Sequence, residues 1–188
     1  MSELRVNKII PKDGIPSASS GTLNGGGILQ IVTKNKLDAG TLTSSYTQNQ
    51  EYDISGLSLQ IKPSSSSNLI WIQGFVHHNV DSSQQASFYV KRNGTNVSPI
   101  GNAGSGNQKR VFVSAQGNQD YYNSWVVKNT PFWFMDSPAT TSTLTYQVGC
   151  IPGTSTAHIY INQSDRDNSG TGYDYRAVSN ITAWEVSA

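Results

Sequence analysis

Residues 68–78, NLIWIQGFVHH, carry apolar side chains on both sides of what reads as one extended segment. In extended chain successive side chains point to opposite faces, so Ile70, Ile72 and Val76 share one face while Leu69, Trp71 and Phe75 share the other. A strand with one wet side alternates apolar and polar residues, as LSLQIK (57–62) does with Leu57, Leu59 and Ile61. A strand apolar on both sides sits centrally and needs cover twice. Here the second cover is either a loop of the same chain or a neighbouring subunit.

Outward from this stretch the same two-residue period recurs, broken about every ten residues by Gly, Pro, Asn and Ser. Strands are expected in GILQIVT (27–33), YDISGLSLQIK (52–62), ASFYVKRN (86–93), KRVFVSAQ (109–116) and YYNSWVVKN (121–129), and again in STLTYQVGCI (142–151), TAHIYINQ (156–163) and SNITAWEVS (179–187). No window has a helical period. PSSSSN (63–68) is a turn, and Asn93-Gly94 suits a type I′ hairpin because both residues tolerate positive φ. Phe132, Trp133, Phe134 and Met135 follow one another, so they alternate sides; Pro131 and Pro138 confine NTPFWFMDSP (129–138) to an edge or crossover. The expected fold class is all-β, an antiparallel β-sandwich of jelly-roll or Greek-key type over residues 27–188.

A chain of 188 residues suffices for one domain and one core. Charged residues make up only 13%, and 13 Lys+Arg against 12 Asp+Glu leave no basic footprint, so a nucleic-acid partner is not expected. No apolar run approaches the roughly 20 residues of a membrane helix, and MSELRVNKII lacks a secretory h-region, so no membrane partner is expected and synthesis in a cytoplasm is. The single cysteine, Cys150, cannot form an intrachain disulfide.

The reactive constellations are sparse. His77 and His78, adjacent in a strand, face opposite ways and cannot chelate one ion. DRDNSG (165–170) opens like a calcium loop, but Arg176 stands where an EF-hand needs its bidentate Glu, leaving a looser calcium loop or a plain surface turn. GNAGSGN (101–107) lacks the phosphate-loop pattern. No Ser, Cys or paired-carboxylate machinery stands out, so neither an enzyme activity nor a cofactor is expected. GNQDYYNSW (117–125) gathers Asp120, Tyr121, Tyr122, Asn123 and Trp125, rings and amides able to dock a glycan as well as to end a hairpin or meet a subunit.

Ahead of the domain, residues 1–26 read as an extended N-terminal arm with a Gly/Ser-rich hinge. Leu4, Val6, Ile9, Ile10 and Ile15 are costly to leave in water, while Pro11 and Pro16 keep them out of a regular strand. The arm either folds back on its own subunit or docks on another subunit or scaffold, with strand addition at a sheet edge as one mode.

LRVNKIIPKDGIP followed by a glycine-rich segment and GILQIV resembles the opening of virion structural proteins of tailed bacteriophages, especially marine and cyanobacterial phages; FMDSPATTSTLTYQVGC, AHIYIN and SNITAWEV are similar to the same group. The resemblance implies a non-enzymatic protein displayed on the virion surface as capsid decoration, knob or short fibre. Its implied partners are capsid or tail subunits, reached through the arm, and further copies of itself, with a trimer favoured. Cys150 and PFWFM stand apart from the shared pattern. The alternative is a tail-fibre or receptor-binding module gripping a host glycan.

Overall fold

The computed structural model describes residues 27–42, 47–80, 84–102, 109–116, 125–155, 157–170, 172 and 174–188. They form eleven strands: β1 (Ile28–Lys36), β2 (Gly40–Leu42), β3 (Tyr52–Ile61), β4 (Leu69–Val80), β5 (Gln85–Arg92), β6 (Thr95–Asn96), β7 (Val113–Gln116), β8 (Lys128–Asp136), β9 (Leu144–Pro152), β10 (Ile159–Ile161) and β11 (Ser179–Val186). All pairings are antiparallel.

Two sheets result. In the first, β1 pairs β11, β11 pairs β4 and β4 pairs β8; β10 joins the end of β4 beside β11 and carries β2. In the second, the order is β3-β9-β5, with β6 and β7 both on the free edge of β5. The inner faces meet in one apolar core. Ile70, Ile72, Val76, Ile181, Ala183, Phe132 and Phe134 come from the first sheet, and Leu57, Leu59, Ile61, Phe88, Val90, Leu144, Tyr146 and Val148 from the second. Each large aliphatic side chain buried there contributes about 1.5–3 kcal/mol. An ionic tie joins the sheets at one end: Arg92 Nη1 donates to both oxygens of Asp136 at 2.7 Å, and the Tyr146 hydroxyl donates to the same carboxylate at 2.6 Å.

Local chemistry explains the registers. Asn93 and Gly94 take φ of 49° and 85° in the β5–β6 turn, as the dipeptide predicts. In β3 the alternation slips: Ile54 and Leu57 are both buried although they stand three positions apart, an odd spacing that regular strand geometry would put on opposite faces. The β3–β9 register shifts between Asp53 and Ser58, and Gly56 supplies the positive φ of 78° the bulge requires. The carbonyls of Ile54 and Leu57 are taken by Gln147 Nε2, at 2.8 and 3.2 Å.

Two strand expectations need correction. Trp125, Val126 and Val127 precede the ladder rather than entering it, and the strand is β8, which contains PFWFM. β8 lies at the sheet edge with Pro131 opposite Phe75, the position a residue without an N–H can occupy. KRVFVSAQ contributes only its second half, β7.

Candidate functional site

Cross-strand partners point to the same side of a sheet, so the registers of β1, β11, β4 and β8 define the outer face of the first sheet. One row across it is Ile31, Trp184, Trp71, Met135; the next is Thr33, Thr182, Gln73, Trp133; the third is Asn35, Asn180, Phe75, Pro131. No Asp, Glu, Lys or Arg stands in these rows. The rings are not tucked away: Trp71 is 42% exposed, Trp133 66%, Met135 50% and Ile31 53%. Among the described residues these side chains stay exposed, and the face departs from the wet-sided pattern of a lone sheet.

Four polar members of the face, Thr33, Thr182, Asn35 and Asn180, are occupied with one another. Thr33 Oγ1 and Thr182 Oγ1 lie 2.9 Å apart, Asn180 Nδ2 donates to Thr33 Oγ1 at 2.9 Å and to Asn35 Oδ1 at 2.7 Å, and Thr182 donates to Asn180 Oδ1 at 3.1 Å. Over β4 and β8 the face dips into a shallow cleft of about 550 Å³, walled by Trp71, Phe75, Pro131 and Trp133, with Gln73 and Asn180 as its polar lining. Gly74 makes the cleft floor possible. A Cβ there would lie 2.2 Å from the Asn180 carbonyl oxygen and 2.7 Å from Phe132 Cζ, whose ring covers the glycine from the core side. Chemically the surface offers flat apolar contact and ring faces, with the Gln73 amide and the indole N–H of Trp184, unpartnered among the described residues, as its open hydrogen-bonding capacity.

Leu4, Val6, Ile9, Ile10, Pro11, Ile15 and Pro16 of the arm fall outside the described residues, as do Asp120, Tyr121, Tyr122 and Asn123. Trp125 is described, and the Arg166 guanidinium sits 4.2 Å from its ring centroid, covering one face against stacking. In the 165–170 loop arginines engage the acids: Arg166 Nε donates to both oxygens of the nearly buried Asp174, at 3.1 and 2.9 Å, and Arg176 pairs with Asp167 at 2.6 Å. Asn168 N adds a donor to Asp174 at 2.9 Å. Among the described residues no three His, Cys, Asp or Glu side chains gather closely enough to hold a metal ion.

Three buried titratable groups have structural surroundings. His77 and His78 do face opposite ways. His77 Nδ1 meets the Val178 carbonyl at 2.6 Å; His78 is buried, with Nε2 2.8 Å from Thr130 Oγ1 and its ring 5.0 Å from that of Phe88. Burial first, then the charge of Lys128, holds the His78 imidazole down to about 4. Cys150 lies in the core, where burial pushes its thiol up to about 12, the opposite of an activated nucleophile. Glu185 is buried, which alone would raise its carboxyl, but donors outweigh that. Asn68 Nδ2 at 2.5 Å, Ser64 N and Oγ at 2.7 Å and Gln30 Nε2 at 2.6 Å hold it at about 2. This carboxylate ties the 63–68 turn to β11 and β1.

The aromatic face combines what the sequence showed only in parts. Trp71 and Phe75 were legible as a second apolar face; their union with Trp133, Met135, Trp184 and Ile31 depends on registers between strands distant in the chain. Compared with known proteins, the sequence matches no family model and no curated protein.

Proposed function

We propose that this chain is a non-enzymatic virion structural protein, a jelly-roll domain displayed on a phage particle as capsid decoration, knob or short fibre, and attached through residues 1–26. The single structural observation that carries it is the uncharged, ring-bearing outer face of β1, β11, β4 and β8. Such charge depletion with Trp, Met and Phe enrichment marks the core of a protein–protein interface, and a virion component is a protein whose work is assembly. The strand order supports the jelly roll. Counting only β1, β3, β4, β5, β7, β8, β9 and β11, the sheets run first-eighth-third-sixth and second-seventh-fourth-fifth, the order of two interleaved Greek keys. The resemblance of the arm and of residues 134–150 to phage virion proteins supplies the particle, with capsid or tail subunits as partners and a trimer as the favoured oligomer.

The test is co-sedimentation of the full chain, and of the chain lacking residues 1–26, with tailless capsids and in parallel with host cells. The full chain should pellet with capsids, and the deletion should stay folded by far-UV circular dichroism while losing that attachment. Unfolding of the deletion would make the arm an integral part of the domain, and binding to cells alone would move the protein to the host-recognition side. That second reading, a receptor-binding module for a host glycan, is favoured by one observation: the cleft sets indole and phenyl rings around the Gln73 amide.

A further inference from the structure

We propose that the outer face of β1, β11, β4 and β8, centred on Trp71 and Trp133, is the contact between copies of this chain. This deepens the assembly part of the reading above, and its test needs no capsid, so the two can fail separately.

Three features select a second copy as occupant. First, the face holds no charge, so it meets its own kind without like-charge repulsion under two-fold or three-fold symmetry alike, whereas a charged partner would lose hydration with nothing to pair. Second, Thr33, Thr182, Asn35 and Asn180 already bond to each other. Covering these four therefore strands few polar groups, while a sugar, whose hydroxyls need several free donors and acceptors, would find only the Gln73 amide and the largely buried indole N–H of Trp184. Third, the dimensions fit. Four strands at about 4.8 Å and the run from Leu69 to His77 give a footprint of roughly 20 by 27 Å. Corrugated by its rings, this is of the order of the ~800 Å² of accessible surface per partner in a standard interface. Trp133 stands highest from the face, on edge strand β8, and Trp71 lies one row away on β4.

The experiment is sedimentation equilibrium of the full-length chain at micromolar concentrations, with Trp133→Glu, Met135→Lys and, as a control away from the face, Ile100→Lys. Trp133, Met135 and Ile100 are all at least half exposed, so each variant should retain the wild-type circular dichroism spectrum. The wild type and Ile100→Lys should run as the same oligomer. Trp133→Glu and Met135→Lys should each weaken association at least tenfold and run as monomers. A monomeric wild type, or an oligomer unmoved by either face variant, would overturn the proposal. So would a monomer whose tryptophan emission responds to a soluble glucan such as dextran and loses the response in Trp133→Ala, since that assigns the cleft to sugar.

Discussion

Two buried side chains contribute to the response of the fold to acid. His78 is buried in its neutral form with a folded-state value of about 4 against 6.5 when exposed, so between those limits protons bind the unfolded chain better. Its contribution is complete above about pH 6.5 and is lost as pH falls toward 4. Glu185 is depressed from 4.5 to about 2, and its contribution is present above 4.5 and lost as pH falls through 2. Urea unfolding from pH 8 to 2.5 should therefore show two descending segments. His78→Gln should flatten the upper one and leave the lower. Glu185→Gln should flatten the lower one and cost about 2 kcal/mol at pH 7, because an amide NH₂ then faces the donors of Asn68 and Ser64. A single segment unchanged by His78→Gln would show that the imidazole is solvated.

At the scale of the strand, Gly74 is the position with least room. Gly74→Ala puts a methyl group into the Asn180 backbone and the Phe132 ring, so β4 must part from β11 or β8. A loss of about 3 kcal/mol in urea unfolding is expected, the upper range for overpacking; a loss under about 0.5 would mean that the ladder yields easily. Gly74 also illustrates what was legible. Leu57, Leu59 and Ile61 declared their buried face by alternation alone, and Asn93-Gly94 declared its turn, because both signals are local. The β3 bulge was not legible, since the residue that satisfies it, Gln147, comes from the other side of the sequence. The start of β8 was misplaced for a related reason: Trp125, Val126 and Val127 look like strand, while Pro131 left residues 129–138 as an edge or a crossover, and the free edge of the sheet is what reconciles a proline with nine ladder residues. The site was half legible, because apolar parity names the members of a face on each strand but not which strands lie side by side.

For the molecule as a whole, the two sheets are joined by apolar packing and, among the described residues, by the Arg92–Asp136 pair, while the sheltered Arg166–Asp174 pair lies within the connection from β10 to β11. The buried carboxylate of Glu185 is held by neutral groups only: two side-chain amides, a hydroxyl and a backbone N–H. Mobile ions weaken the attraction between separated charges, and at 1 M the screening length shrinks to about 3 Å, but they do not compete for a short hydrogen bond inside the protein. The melting temperature at pH 7 should stay within about 2 °C between 0.05 and 1 M NaCl, whereas a chain secured by surface charge would drift further. An anion anchored by uncharged dipoles thus makes the fold indifferent to the salinity of its surroundings, so dilution or brine alters what the protein meets at its surface without loosening the sheet behind it.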